Sequence, residues 1–171
     1  IALFLSVSAF VSSGRFSLCF EKGASMKSMF VCHGNICRSP LAEFMFKDML
    51  FKRGLQNKYE VSSSAISTEE LGNPVHYAVK QMLFENNIPF SERYAVQLKK
   101  SDSDKYDLFI CMDKYNLRGA KAILKDCNDE KIHLLMEYAG ECRDVADPWY
   151  TRNFNDAYED IKTGLNGLIR E

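Results

Sequence analysis

The sequence carries no excess charge of either sign. Its 22 Lys and Arg against 23 Asp and Glu leave a formal net charge of -1. No electrostatic case follows for nucleic acid or an anionic membrane as the main partner. Long apolar runs are missing too: Ile1–Val11 is broken by two serines and is too short to span a bilayer. Histidine is scarce and scattered, at His33, His76 and His133, so no metal constellation and no cofactor is called for. The six cysteines are unevenly spaced, which fits free thiols in a reducing, cytoplasmic setting better than a disulfide scaffold. No internal repeat, low-complexity tract or second domain is visible, and 171 residues suffice for one closed core.

Residues 1–25 are expected to be a leader, non-native or disordered, with a truncated secretory or anchoring segment as the alternative. No basic residue precedes the apolar run, which argues against a signal peptide as written. Cys19 falls in this stretch and is given no role. Met26-Lys27 stands where a globular domain would begin, so the working domain is read as 26–171.

What the chain does have is the run Val31-Cys32-His33-Gly34-Asn35-Ile36-Cys37-Arg38-Ser39-Pro40. Met29–Val31 reads as a strand, and Pro40 to about Phe51 as a helix capped by Ser39. A tight loop between strand and helix can wrap an anion, because a helix N-terminus leaves backbone N–H groups unpaired. Cys32 and Arg38 bracket five residues, enough for the intervening amides to turn inward. Those dipoles and the guanidinium both favour a thiolate at Cys32. Arg38 offers a planar fork matching two phosphoryl oxygens. Gly34 lets backbone approach a ligand, Asn35 tolerates left-handed dihedrals, and Ser39 has a hydroxyl to donate to the sulfur. Such a thiolate beneath a bound tetrahedral oxyanion points to attack on phosphorus.

Further along, Tyr59–Ser64, Tyr106–Met112 and Lys131–Met136 read as strands. Asn73-Pro74 looks like the start of a helix running to Glu85, with Val75, Val79 and Met82 inward. Asp113 caps a helix carrying Leu117, Ala120 and Leu124, and Asn155–Ile169 is a last amphipathic helix. Arg93–Leu98 is either extended or a helical turn; Lys99–Asp104 and Glu137–Asp147 are connections. Four strands alternating with helices give an α/β domain, a doubly wound parallel sheet covered on both faces. Its ligands would bind beyond the carboxyl ends of the strands.

The Cys32–Pro40 run resembles the signature loop of the low-molecular-weight protein tyrosine phosphatases, and Asp147-Pro148-Trp149-Tyr150 resembles that family's general-acid loop. Tyr106-Asp107, Met112-Asp113 and Asn116-Leu117 are similar as well, so the likeness covers roughly Met26 to Arg170. It implies strand order 2-1-3-4 in one domain, with the phosphate loop after the first strand. It also implies a metal-independent hydrolysis of phosphotyrosine proteins or small aryl phosphates, with phosphate as product or inhibitor. Cys32, Arg38 and Asp147 are then catalytic, and His33, Gly34, Asn35, Ile36, Cys37 and Ser39 bind phosphate or support the loop. An alkoxide or phenolate leaving group wants a proton, which gives Asp147 its task. Trp149 and Tyr150 would wall the ring pocket. Cys37 would be the redox partner of Cys32, sparing it from over-oxidation.

Ile36 favours an aromatic ester over phosphoarginine, since the related protein-arginine phosphatases carry Thr there. An arsenate reductase would need two more cysteines close together on a mobile segment, and Cys111, Cys127 and Cys142 are spaced otherwise. A non-catalytic phosphopeptide-binding or redox-sensing domain would be expected to have lost Cys32, Arg38 or Asp147. Several departures from the family stand out, among them Trp149 for the commoner Tyr and Thr151 where Gly is common. Ile66 replaces a usual glycine, the segment to Gly72 lacks an aromatic, and Arg93-Tyr94-Ala95-Val96-Gln97 stands for a run that commonly opens with histidine.

Overall fold

Met26–Cys32 behaves as a strand covered on both sides: every residue but Lys27 is buried. A computed structural model describes residues 9–12, 15–18 and 25–169. Within it, β1 (Ala9–Ser12) and β2 (Arg15–Leu18) pair as an antiparallel hairpin. The remainder of the expected leader, except Ser25, lies outside the described residues, Cys19 included. The domain proper follows as β3 (Met26–Cys32), α1 (Arg38–Lys52), β4 (Tyr59–Ala65), α2 (Tyr77–Glu85), β5 (Leu108–Cys111), α3 (Lys114–Leu124), β6 (Ile132–Leu134), α4 (Pro148–Thr151) and α5 (Phe154–Leu168).

The second sheet is parallel, in the order β4-β3-β5-β6. Counted among these four strands that is 2-1-3-4, as expected. Alternation along β3 divides the core. Phe30 and Cys32 face the layer with Phe46, Leu135, Ile161 and Leu165, while Met29 and Val31 face Phe109, Ala120 and Leu124. Phe30 is fully buried edge-on to Phe46, with ring centroids 5.6 Å apart. Burial of one such side chain contributes about 1.5–3 kcal/mol.

Several boundaries differ from the sequence reading. Helix α1 starts two residues early, at Arg38, with Cys37 at its N-cap and no side-chain cap. Pro40 is tolerated in the first turn because its missing N–H would have had no intrahelical partner. Ser39 is therefore no cap, and its hydroxyl is turned to Cys32 instead. The end is as expected, with Gly54 at φ +69° just past the helix.

Helix α2 starts late, capped by His76, whose Nδ1 accepts from the N–H of Ala78 at 3.2 Å. Asn73 and Pro74 are extended instead: Pro74 bridges Tyr94, and the Asn73 carbonyl accepts from Ala95 N–H at 2.9 Å. This pairing settles Arg93–Leu98 as extended, and Leu98 N–H donates to the Ala65 carbonyl at 2.8 Å. Strands β5 and β6 are shorter than read, and β6 is flanked by 3-10 turns at Asp129–Lys131 and Leu135–Ala139. The connection at 99–104 is not wholly solvated, since Asp102 is buried and accepts from Lys99 N–H at 2.9 Å. Ile66, in place of the usual glycine, lies against Gly119 of α3, where an added Cβ would stand 2.7 Å from its side chain.

Candidate active site

Cys32 is the last residue of the inner strand β3, and its sulfur sits at the floor of a crevice of about 550 Å³. The chain then turns through Asn35, at φ +58°, which aims its own N–H at Cys32 Sγ from 3.3 Å. Ser39 Oγ lies 2.9 Å from the same sulfur. Left-handed backbone without glycine is uncommon, and asparagine is among the residues that tolerate it. Gly34 is needed for a different reason than ligand approach alone: a Cβ there would come within 2.9 Å of the Glu70 side chain.

Arg38, in the first turn of α1, is almost wholly buried. Its Nη1 donates to Asp113 Oδ2 at 2.6 Å and its Nη2 to Asp147 Oδ2 at 2.5 Å. Burial opposes its charge, but Cys32, Asp147 and Asp113 outweigh that and raise its pKa above the ordinary value. Asp113 thus has two tasks, since its Oδ1 also caps α3 by accepting from Asn116 N–H at 2.6 Å. Only the cap was legible in the sequence. Asp147 likewise caps α4, accepting from Trp149 N–H at 3.0 Å through Oδ1.

Trp149 and Tyr150 line the crevice and are 71 % and 83 % exposed, so neither is a core residue. Tyr115 joins them at the rim, and Ile36 also lines the cavity. Where the expected aromatic is missing, Glu69 and Glu70 form the wall, and Glu69 Oε2 lies 2.9 Å from His33 Nε2. Cys37 lines the same cavity as a free thiol, and burial, then the neighbouring Cys32 and Asp147, push its pKa up to about 12. Cys111 is buried in β5, Cys127 lies by the α3 layer and Cys142 is exposed, so these three share no segment. Among the described residues no group of His, Cys, Asp and Glu is arranged to hold a metal ion. No described helix is long and apolar enough to cross a membrane.

Behind the loop lies a cluster that sequence reasoning missed: Glu43 of α1, Ser63 of β4 and Arg93. The available signal was Glu43 itself. It is an acid four residues after Ser39, on the same helix face, amid Ala42, Phe44 and Phe46.

An inner parallel strand delivering a cysteine into an arginine-backed loop, with an acid loop facing it, defines an α/β phosphate-handling enzyme. Residues 27–171 match the family model described as low molecular weight phosphotyrosine protein phosphatase. The low molecular weight protein-tyrosine-phosphatase YfkJ of Bacillus subtilis is 37 % identical over 143 residues, covering 82 % of this chain and 92 % of that one. The low molecular weight phosphotyrosine protein phosphatase of Gallus gallus is 37 % identical over 137 residues, covering 77 % and 85 %. The crystal structure of YfkJ superposes with a TM-score of 0.83 at 36 % identity, covering 87 % of this chain and 95 % of that one. The chain belongs to the low-molecular-weight phosphotyrosine protein phosphatase family, and by that membership is a cysteine-dependent phosphatase.

Proposed function

We propose that residues 26–171 hydrolyse phosphotyrosine in proteins, and small aryl phosphate monoesters, by double displacement at Cys32. The observation that carries this reading is the placement of Cys32 Sγ under one inward amide and one hydroxyl, on the floor of the crevice that Arg38 and Asp147 also line. The Cys32 thiolate attacks phosphorus, forming an S–P bond as the ester P–O bond breaks. Asp147 gives its proton to the departing phenolate oxygen. Loop amides and Arg38 hold the equatorial oxygens, where charge gathers in the transition state. Asp147, now a carboxylate, takes a proton from water as that water attacks the cysteinyl phosphate and releases inorganic phosphate. No step calls for a metal or a cofactor.

Trp149 and Tyr150 would flank the flat ring of the substrate, with Tyr115 and Ile36 completing an aromatic-sized pocket. Cys37 serves as the resolving thiol. When peroxide oxidises Cys32 to a sulfenic acid, Cys37 attacks it, water leaves and a disulfide forms. Burial, then the charge on the Cys32 thiolate, keeps Cys37 protonated beforehand, and the neutral sulfenic acid removes that charge when Cys37 has to attack. The five free cysteines among the described residues suit a cytoplasmic location.

The test is hydrolysis of phosphotyrosine and phosphoarginine peptides side by side, with EDTA present, by wild type and Cys32→Ser. Phosphotyrosine turnover that vanishes in the variant is the expected result. Preference for phosphoarginine would overturn the substrate class. Turnover retained by folded Cys32→Ser would overturn the mechanism.

A further inference from the structure

Residues 140–147, which lead to the proposed general acid, form no helix or strand of their own. They are held by ties to their neighbours. Val145 is buried and its N–H donates to the Met112 carbonyl at 2.8 Å, while Asp144 Oδ1 accepts from Lys114 N–H at 3.1 Å. Both of these ties run to the end of β5 and the start of α3. Ala146 N–H, the last backbone donor before Asp147, goes to α5 instead, donating to Asp160 Oδ2 at 2.9 Å.

Asp160 stands beside Ile161 and three residues after Ala157, both buried, and its own side chain is only 15 % exposed. Its other oxygen, Oδ1, accepts from Arg143 Nη1 at 2.6 Å, and Arg143 Nε donates to Glu141 Oε2. The segment that leads to Asp147 thus grips one carboxylate twice, by its backbone and by its guanidinium. An ion pair with a half-exposed arginine adds little stability on its own. A carboxylate held at both oxygens, however, is not free to turn away from Ala146, and a planar guanidinium fixes its orientation. Helix α5 is itself closely seated, since Gly164 and Gly167 bring it against Leu135 and Tyr138 with no room for a Cβ.

We infer that Asp160, steadied by Arg143, is a positioning residue for Asp147: it ties the acid loop to α5 and so sets where the acid carboxyl stands in the crevice. This deepens the proposed function and rests on Asp147 being its general acid. Asp160 does not line the crevice and acts only through the loop.

The experiment uses the full chain as wild type, Asp160→Ala, Asp160→Asn, Arg143→Met, Asp147→Asn and the double variant Asp160→Ala/Asp147→Asn. The quantity read is kcat/KM on phenyl phosphate, whose leaving group needs a proton, and on dinitrophenyl phosphate, whose leaving group does not. Asp160→Ala should lower kcat/KM on phenyl phosphate by about 10–100-fold, as misplacing a reacting group does, and on the dinitrophenyl ester by much less. Asp160→Asn keeps an acceptor for Ala146 N–H and should recover part of the loss. Arg143→Met should show a smaller loss of the same selective kind. In the Asp147→Asn background Asp160→Ala should add almost nothing, because the group it positions is gone. A merely structural role would slow both esters alike and would persist in the double variant; either result would overturn the inference. So would wild-type kinetics in the folded variants. If Asp160→Ala does not fold, Asp160→Asn and Arg143→Met carry the same comparison. Asp147→Asn keeps the two failures apart. Equal slowing of both esters there brings down the acid reading, whereas a selective loss there with none in the Asp160 variants removes this inference alone.

Discussion

Arg38 and Asp147 stand 109 residues apart in the chain and meet at 2.5 Å. The group proposed to clamp phosphate and the group proposed to deliver the proton therefore hold one another in the ligand-free crevice. An incoming phosphoryl group would compete with Asp147 for Arg38 Nη2, and a carboxylate released from that guanidinium would more readily take up the proton that a general acid has to deliver.

Replacing Asp147 by Asn should consequently separate binding from turnover. Hydrolysis of phenyl phosphate is expected to fall about 10²–10⁴-fold, the usual worth of a general acid. Substrates whose leaving group needs no proton should lose much less. Inhibition by inorganic phosphate should tighten, because the competing carboxylate charge on Arg38 is gone. Steady-state kinetics with two leaving groups and a phosphate titration check all three, and equal slowing of both substrates would sink the acid assignment.

Cys37 should decide whether oxidative inactivation is reversible. Wild type treated with peroxide and then a dithiol is expected to regain activity, with the Cys32–Cys37 disulfide visible by mass spectrometry in between. Cys37→Ser should be fully active before treatment and should recover little after it, as the sulfenic acid advances to irreversible states. Equal recovery would remove Cys37 from this role.

Alkaline pH should destabilise the fold through its buried acids. Burial raises Cys37 well above the ordinary thiol range, to about 12, and pushes Cys111 and Tyr138 up as well. Above about pH 9 the unfolded thiols release protons that the folded ones keep. The unfolded state then binds fewer protons, so stability is full below that pH and declines as pH climbs towards the folded values. A fully buried thiol contributes up to about 1.4 kcal/mol per pH unit. Urea midpoints should fall between about pH 9 and pH 11, and less steeply in Cys111→Ala.

Gly167 on α5 should resist substitution although it lies within a helix. Alanine there would gain about 1 kcal/mol of helix propensity. Its Cβ, however, would stand 2.0 Å from the Tyr138 carbonyl oxygen, a backbone atom that cannot swing away. The clash should win, and Gly167→Ala is expected to lose about 2 kcal/mol or more in urea unfolding. A neutral variant would mean that α5 can slide against the turn at Leu135–Ala139.

The sheet and the Cys32–Pro40 loop were legible because each is written locally. A buried strand shows as an unbroken apolar run, and the loop shows as contiguous residues from Cys32 to Pro40. Helix starts were less so: Ser39 and Pro40 have the composition of a cap and first turn, yet the loop curls into helix from Arg38, so the serine was free for the sulfur. Asn73 and Pro74 gave the same local signal, and a long-range bridge to Tyr94 overrode it. The cluster of Glu43, Ser63 and Arg93 joins three separate segments, and no spacing rule links them. Asp113 announced its cap through its neighbours, whereas its grip on Arg38 spans 75 residues.

The strand that ends in Cys32 has a parallel neighbour on either hand, with Val31 in register with Ser64 on one side and Cys111 on the other. Nothing short of opening the whole sheet releases it, so its amides should exchange with solvent only by global unfolding. The crevice walls, by contrast, are loops after β4, after β5 and before α4, and each can be remodelled without disturbing that anchor. Heritable change can thus retune what the crevice accepts while the strand that carries Cys32 stays as it is.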